Sequence, residues 1–176
     1  MLDKPELIIL DGPSSAGKTS LAKALQEELL PEIWLNFSID HVIDAFPNSI
    51  LEKCAVNDWS DVDDDLLFAG TFSCVKGLLR SGYPVIFDAV ISTKQTANQT
   101  IEAFLSHTAF FIAVRCDWEE IRRRTISRVD RTLEEAEYGF KTSPRHLNYN
   151  FRVDTTKLSP EDAARRCIKA MQDLRH

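Results

Sequence analysis

Leu7-Ile8-Ile9-Leu10-Asp11-Gly12-Pro13-Ser14-Ser15-Ala16-Gly17-Lys18-Thr19 joins a short apolar run to a loop with glycine at its first and sixth positions, then lysine and a hydroxyl residue. Gly12 and Gly17 let the backbone wrap closely around an anion, so that consecutive N–H groups point inward at it. Lys18 reaches the same oxygens, and the Thr19 hydroxyl is suited to a Mg²⁺ ion beside them. The apolar run suits a buried parallel strand. Beyond the loop, Leu21, Ala22, Leu25 and Leu29 recur at helical spacing as far as Pro31. Strand, loop and helix in this order make a phosphate-binding P-loop. The helix start adds its own positive end to the cradle. Gly12, Pro13, Ser14, Ser15, Ala16, Gly17, Lys18, Thr19 and Ser20 are therefore candidate nucleotide ligands.

Outward from the loop, strands and helices alternate. Trp34 to Ile39 reads as a second strand, ending at Asp40, with a short helix after it that stops before Pro47. Residues 47–62 read as irregular. Asp63-Asp64-Asp65 opens a helix with acids in its first turn, and Gly82 ends it. Pro84 to Phe87 is a third strand, ending at Asp88. Thr93 to His107 reads as a helix and Ala109 to Val114 as a fourth strand. Asp117 opens an arginine-dense helix. Residues 132–148 are polar and poorly periodic, and Asn150 to Val153 fits a short fifth strand. Ser159-Pro160-Glu161-Asp162 is a well-formed helix start, with Ala163, Cys167, Met171 and Leu174 on the buried face. Such alternation predicts an α/β, three-layer P-loop NTPase fold around a five-stranded parallel sheet, in one domain spanning 1–176. Ligands of such sheets bind beyond the carboxyl ends of the strands. The P-loop, Asp40, Asp88 and Arg115 are thus expected to meet in one cleft.

Bulk properties narrow the class. A formal net charge of -6 argues against nucleic acid or a membrane surface, which both call for a basic face. No stretch approaches the ~20 apolar residues of a membrane span. Met-Leu-Asp-Lys-Pro-Glu is no signal peptide, and four scattered cysteines without a CxxC pair fit reduced thiols. A cytoplasmic location is the expectation.

Phosphoryl transfer needs a cradle, a metal, cations over the moving group and an oriented nucleophile. Two roles fit Asp40: base on a substrate hydroxyl, or cap of the helix that follows. Asp88 fits a metal ligand or a strand-end turn residue. Arg115, Arg122, Arg123, Arg124, Arg128 and Arg131 crowd a short stretch of an otherwise acidic chain. Spacings of four and three put Arg124, Arg128 and Arg131 on one face of a helix. That face is either a lid over the nucleotide or a solvated surface paired with Glu119, Glu120 and Asp130. The four histidines lack ligand spacing, and Phe46 and Trp59 are candidates to line a substrate pocket.

Leu30-Pro31-Glu32-Ile33-Trp34-Leu35-Asn36-Phe37-Ser38-Ile39-Asp40, with the P-loop before it and Val42-Ile43-Asp44-Ala45-Phe46-Pro47 after it, resembles chloramphenicol phosphotransferase. So do Val114-Arg115-Cys116-Asp117, the run through Arg124, Arg128, Asp130 and Arg131, and Val153-Asp154-Thr155-Thr156. The resemblance implies an ATP-dependent kinase of small hydroxylated compounds, nucleoside-kinase-like, with a helical lid over approximately 122–148 and a substrate-side segment over approximately 41–65. It implies that Asp40 is the catalytic base. It places Lys18, Arg124 and Arg128 in catalysis, Arg131 on the nucleotide, and Thr19 and Asp88 on Mg²⁺. Pro13 departs from the family's loop glycine, and residues 48–65 and 132–148 depart from its acceptor-side and lid patterns. Two other functions fit the residues: a nucleotide or nucleotide-sugar kinase, and a non-catalytic nucleotide-binding regulator. A GTP switch would carry Asn-Lys-x-Asp and Asp-x-x-Gly, and the chain has neither.

Overall fold

In the computed structural model, which describes residues 4–128 and 131–173, the apolar runs form one parallel sheet in the order β2-β3-β1-β4-β5. Its strands are β1 (Leu7–Asp11), β2 (Leu35–Ser38), β3 (Val85–Ala89), β4 (Ala109–Arg115) and β5 (Phe151–Asp154). The central strand β1 pairs with β3 on one side and β4 on the other, so every one of its residues is buried. This is why its sequence is a continuous apolar run rather than an alternating one.

Successive residues of β1 serve opposite faces. Ile8 and Leu10 pack with Leu21 and Leu25 of α1 (Lys18–Glu28), and with Ile121, Cys167 and Met171. Leu7 and Ile9 pack with Phe72, Val75, Phe87 and Phe104. Helices α1, α6 (Trp118–Ile126) and α8 (Pro160–Asp173) therefore cover one face. Helices α4 (Asp64–Arg80) and α5 (Lys94–Ala103) cover the other. Phe72 stands edge-on to Phe87 and Phe104, with ring centroids 6.1 and 5.5 Å away, a favourable aromatic arrangement.

The helix starts are where local chemistry put them. The Asp63 carboxylate accepts the Leu66 N–H at 3.0 Å to open α4, and Ser159 Oγ accepts the Asp162 N–H at 3.1 Å to open α8. Gly82, just past α4, has φ 91°. Two segments differ from the sequence reading. Residues 47–62 contain α3 (Asn48–Ala55), and residues 132–148 contain α7 (Leu133–Thr142). Helix α7 opens on a reciprocal capping box between Thr132 and Glu135. The expected arginine face is also corrected. Helix α6 ends at Ile126, where Ser127 Oγ–H donates to the Arg124 carbonyl at 2.7 Å, so Arg128 and Arg131 lie beyond it. Asp130 and Leu174 lie outside the described residues.

All four cysteines are free, and three are buried. Among the described residues no helix is long and apolar enough to cross a membrane. Ile112 is fully buried in β4, whereas Leu105 is 80 % exposed. Ile112→Ala is expected to cost about 2–5 kcal/mol, and Leu105→Ala less than about 0.5 kcal/mol, read by denaturant unfolding.

Candidate functional site

The P-loop leaves the sheet at its centre, and the fold leaves it almost no room. A Cβ on Gly12 would sit 2.3 Å from the Val114 carbonyl oxygen of neighbouring β4. Gly17 turns the chain into α1 at φ 88°, in the left-handed region. Having no side chain, Gly17 cannot cap α1, so no side chain caps the N–H groups of its first turn. Pro13 costs the loop nothing. Its carbonyl accepts the Ala16 N–H at 3.2 Å and Lys18 Nζ–H at 3.1 Å.

The loop is held from behind. The Thr155 hydroxyl, just past β5, donates to the Ala16 carbonyl at 2.6 Å. The Thr125 hydroxyl lies 2.9 Å from Ser15 Oγ. Arg124 donates to the Thr155 carbonyl at 2.9 Å and reaches the Ser15 carbonyl at 3.5 Å. Thr125 and Thr155 carried no spacing signal in the sequence. They matter because the fold brings β5 and α6 against the loop.

On the other side stand two acids. Asp88, next to last in β3 and paired in register with Leu10 and Ser38, is 4 % exposed. Its Oδ2 accepts the Thr19 hydroxyl at 2.8 Å, and its Oδ1 is 3.7 Å from Lys18 Nζ. Burial pushes its pKa up, against the pull of Lys18 and Thr19. A buried carboxylate beside a hydroxyl is an all-oxygen donor pair that suits Mg²⁺. That ion is commonly held by one or two protein groups and the substrate's phosphates.

Asp40 begins the short helix α2 (Asp40–Ile43) but does not cap it. The N-cap is Ile39, and the Asp40 carboxylate instead takes an ion pair from Arg131 Nη2 at 2.6 Å. His41 closes the local turn, its Nδ1 accepting the Ser38 N–H at 3.0 Å.

The arginines divide between the two readings made of them. Arg124 Nε pairs with Glu120 at 2.8 Å, and Glu120 also holds Arg123. Yet Arg124, Arg128 and Arg131 all line the same cleft as Lys18, Thr19, Asp40 and Asp88. The cleft has a volume of about 470 Å³, and Leu158, Pro160 and Ala163 add apolar groups to its lining. Arg115 is not there. It lies in a second depression with Cys116, Asp117 and Arg145, because β4 points it to the other side of the P-loop. Phe46 and Trp59 are likewise absent from the cleft lining.

Glu120 is a residue whose function the sequence reading undervalued: it orients Arg124 by hydrogen bond. Its two arginine partners push its pKa down to about 2. A depressed carboxylate contributes stability above its unfolded value, near 4.5, and loses it as pH falls toward 2. Glu120→Gln is therefore expected to flatten the fall of Tm between about pH 4.5 and pH 2, followed by thermal unfolding. Gly12→Ala, with no space for its Cβ, is expected to abolish nucleotide binding in a titration at neutral pH.

Known proteins resemble this chain in sequence and in fold. Over 98 % of its length the chain is 29 % identical to the Mycobacterium tuberculosis protein named "Putative O-phosphotransferase Rv2636", covering 85 % of that protein. Its fold matches the shikimate kinase of Acinetobacter baumannii, solved with shikimate (TM-score 0.63, 20 % identity, 98 % of this chain and 96 % of that one). It also matches the APS kinase CysC of Mycobacterium tuberculosis, solved with AMPPNP and APS (TM-score 0.69, 14 % identity, 96 % and 98 %). The family described as "Chloramphenicol phosphotransferase-like protein" matches residues 5–172. With a P-loop fold and a family match over nearly its whole length, this chain belongs to the chloramphenicol phosphotransferase-like family.

Proposed function

We propose that this P-loop O-phosphotransferase moves the γ-phosphoryl group of ATP to a hydroxyl of a small molecule, with Asp40 as the base. The observation that carries this reading is one cleft lined by Asp40, Lys18, Thr19, Asp88, Arg124, Arg128 and Arg131. A carboxylate to take the acceptor's proton and cations to neutralise the phosphates are the groups phosphoryl transfer requires.

The roles follow from the chemistry of each group. The N–H groups of Ser14, Ser15, Gly17, Lys18 and Thr19 cradle the β- and γ-phosphates, and Lys18 neutralises them from a buried position. Mg²⁺ held by Thr19 and Asp88 would neutralise further charge on the same oxygens. Asp40 receives the proton of the acceptor hydroxyl and aims its oxygen along the line of transfer. Arg131, already bonded to Asp40, fixes its carboxylate at the start of α2. Arg124 and Arg128 stabilise charge on the group in flight, and the apolar lining at Leu158 and Ala163 receives the nucleotide base.

Beside Asp40 the same cleft is lined by Ser38, Ile39, Ile43 and Val90. A hydroxylated small molecule is the acceptor we assign to it. Chloramphenicol, the compound in the family's name, belongs in the test panel beside sugars, sugar acids and nucleosides.

The decisive assay measures ATP consumption and product mass across that panel. Transfer of one phosphate to an acceptor is expected with wild type. Asp40→Ala is expected to lower turnover about 10²- to 10⁴-fold while nucleotide affinity stays within a few-fold. Full retention of transfer by Asp40→Ala would overturn the assignment of the base. Nucleotide binding with no acceptor phosphorylated across the panel would favour a regulatory role.

A further inference from the structure

Asp11, the last residue of β1, is fully buried although it ends a row of apolar residues, Leu7 and Ile9, on the α4–α5 face. Burial of a carboxylate costs free energy unless its oxygens are satisfied. Here three donors satisfy them. Oδ1 accepts the Ile91 N–H at 2.9 Å and the Ser143 hydroxyl at 2.7 Å, and Oδ2 accepts the Tyr149 hydroxyl. Burial and the neighbouring carboxylate push the Tyr149 pKa up, so its phenol stays protonated and donates. The Arg152 guanidinium, 4.9 Å from the ring centroid, packs on the same tyrosine.

These contacts join Asp11 to two segments distant in sequence, the chain after β3 and the chain between α7 and β5. A second contact reaches the loop from the same side. Gly139 of α7 lies against Pro13, where an added Cβ would stand 3.4 Å from Pro13 Cα. Gly12 sits between these two grips, with its own contact to Val114. A displacement of Asp11 or Pro13 is passed directly to the N–H groups that face the phosphates.

We propose that Asp11, held by Ser143 and Tyr149, is a positioning residue that sets the shape of the phosphate loop from outside the cleft. Residues 132–149 then act on the nucleotide as a clamp behind the loop rather than as a lid over it. The inference rests on the proposed function only in taking that loop as the nucleotide cradle.

Removal of one hydroxyl tests it. Binding of AMPPNP with Mg²⁺ would be measured by calorimetry for wild type, Tyr149→Phe, Ser143→Ala and Leu79→Ala. The last lowers stability from a buried site on α4 away from the loop. Tyr149→Phe is expected to weaken AMPPNP about tenfold, the worth of one hydrogen bond to a charged group. Acceptor KM should stay within about twofold, and Leu79→Ala should bind as wild type at an equal or greater loss of Tm. Should Tyr149→Phe fail to fold, Ser143→Ala carries the test with the same expectation. AMPPNP affinity within twofold of wild type in the folded hydroxyl-deleted variants would overturn the inference. So would an equal weakening in Leu79→Ala. A wild type that binds neither AMPPNP nor its guanine counterpart would overturn the proposed function, and this inference with it.

Discussion

The close approach of Gly12 to the Val114 carbonyl is the constraint on which the rest of the site depends. The central strand must turn out of the sheet at the point where it still touches β4. Only a residue without a side chain passes there. That turn aims the N–H groups of the loop into the cleft. It also puts Lys18 and Thr19 at the start of α1, within reach of Asp88 on β3. The sheet order, with β3 and β4 flanking β1, therefore does chemical work: it supplies the acid on one side and the restraining carbonyl on the other.

Charge is distributed unevenly around this turn. Lys18 and Asp88 are buried partners near the loop, where water screens them little. Arg124 and Glu120, and Arg131 and Asp40, are more exposed pairs whose worth to stability is small. Their value is orientation. Glu120 aims Arg124 along the back of the loop, and Arg131 fixes the Asp40 carboxylate at the start of α2. A chain with net charge -6 thus brings Lys18, Arg124, Arg128 and Arg131 together around one cleft.

Much of this was legible in residue order. Leu7 to Thr19 declared strand, loop and helix, because the spacing of Gly12, Gly17, Lys18 and Thr19 is set by local geometry. The helix starts at Asp63 and Ser159 were readable for the same reason, since a cap bonds to N–H groups only two or three residues on. Helix α7 is equally local, marked by the Thr132–Glu135 capping box, but it buries only Ala136 and Gly139, so no apolar stripe shows in its sequence. Helix α3 carries no such mark: it has no side-chain cap and buries only Cys54, so no apolar stripe sets it apart from a loop. The regular spacing of Arg124, Arg128 and Arg131 suggested one helix face. The chain ended that helix at Ile126 and still brought all three to the cleft by a different path.

The sequence by itself determined the nucleotide cradle, the alternation of strands and helices and the family, since these rest on contacts between residues near one another in the chain. Tertiary structure alone decided which groups face that cradle. It paired Asp40 with Arg131 across 91 positions and sent Arg115 to the other side of the loop. It buried Asp11 beneath Tyr149 across 138 positions. Such pairings arise from strand order and packing on the two faces of the sheet. No local spacing encodes them, because a side chain's partner is set by where the sheet carries it and not by its neighbours in the chain.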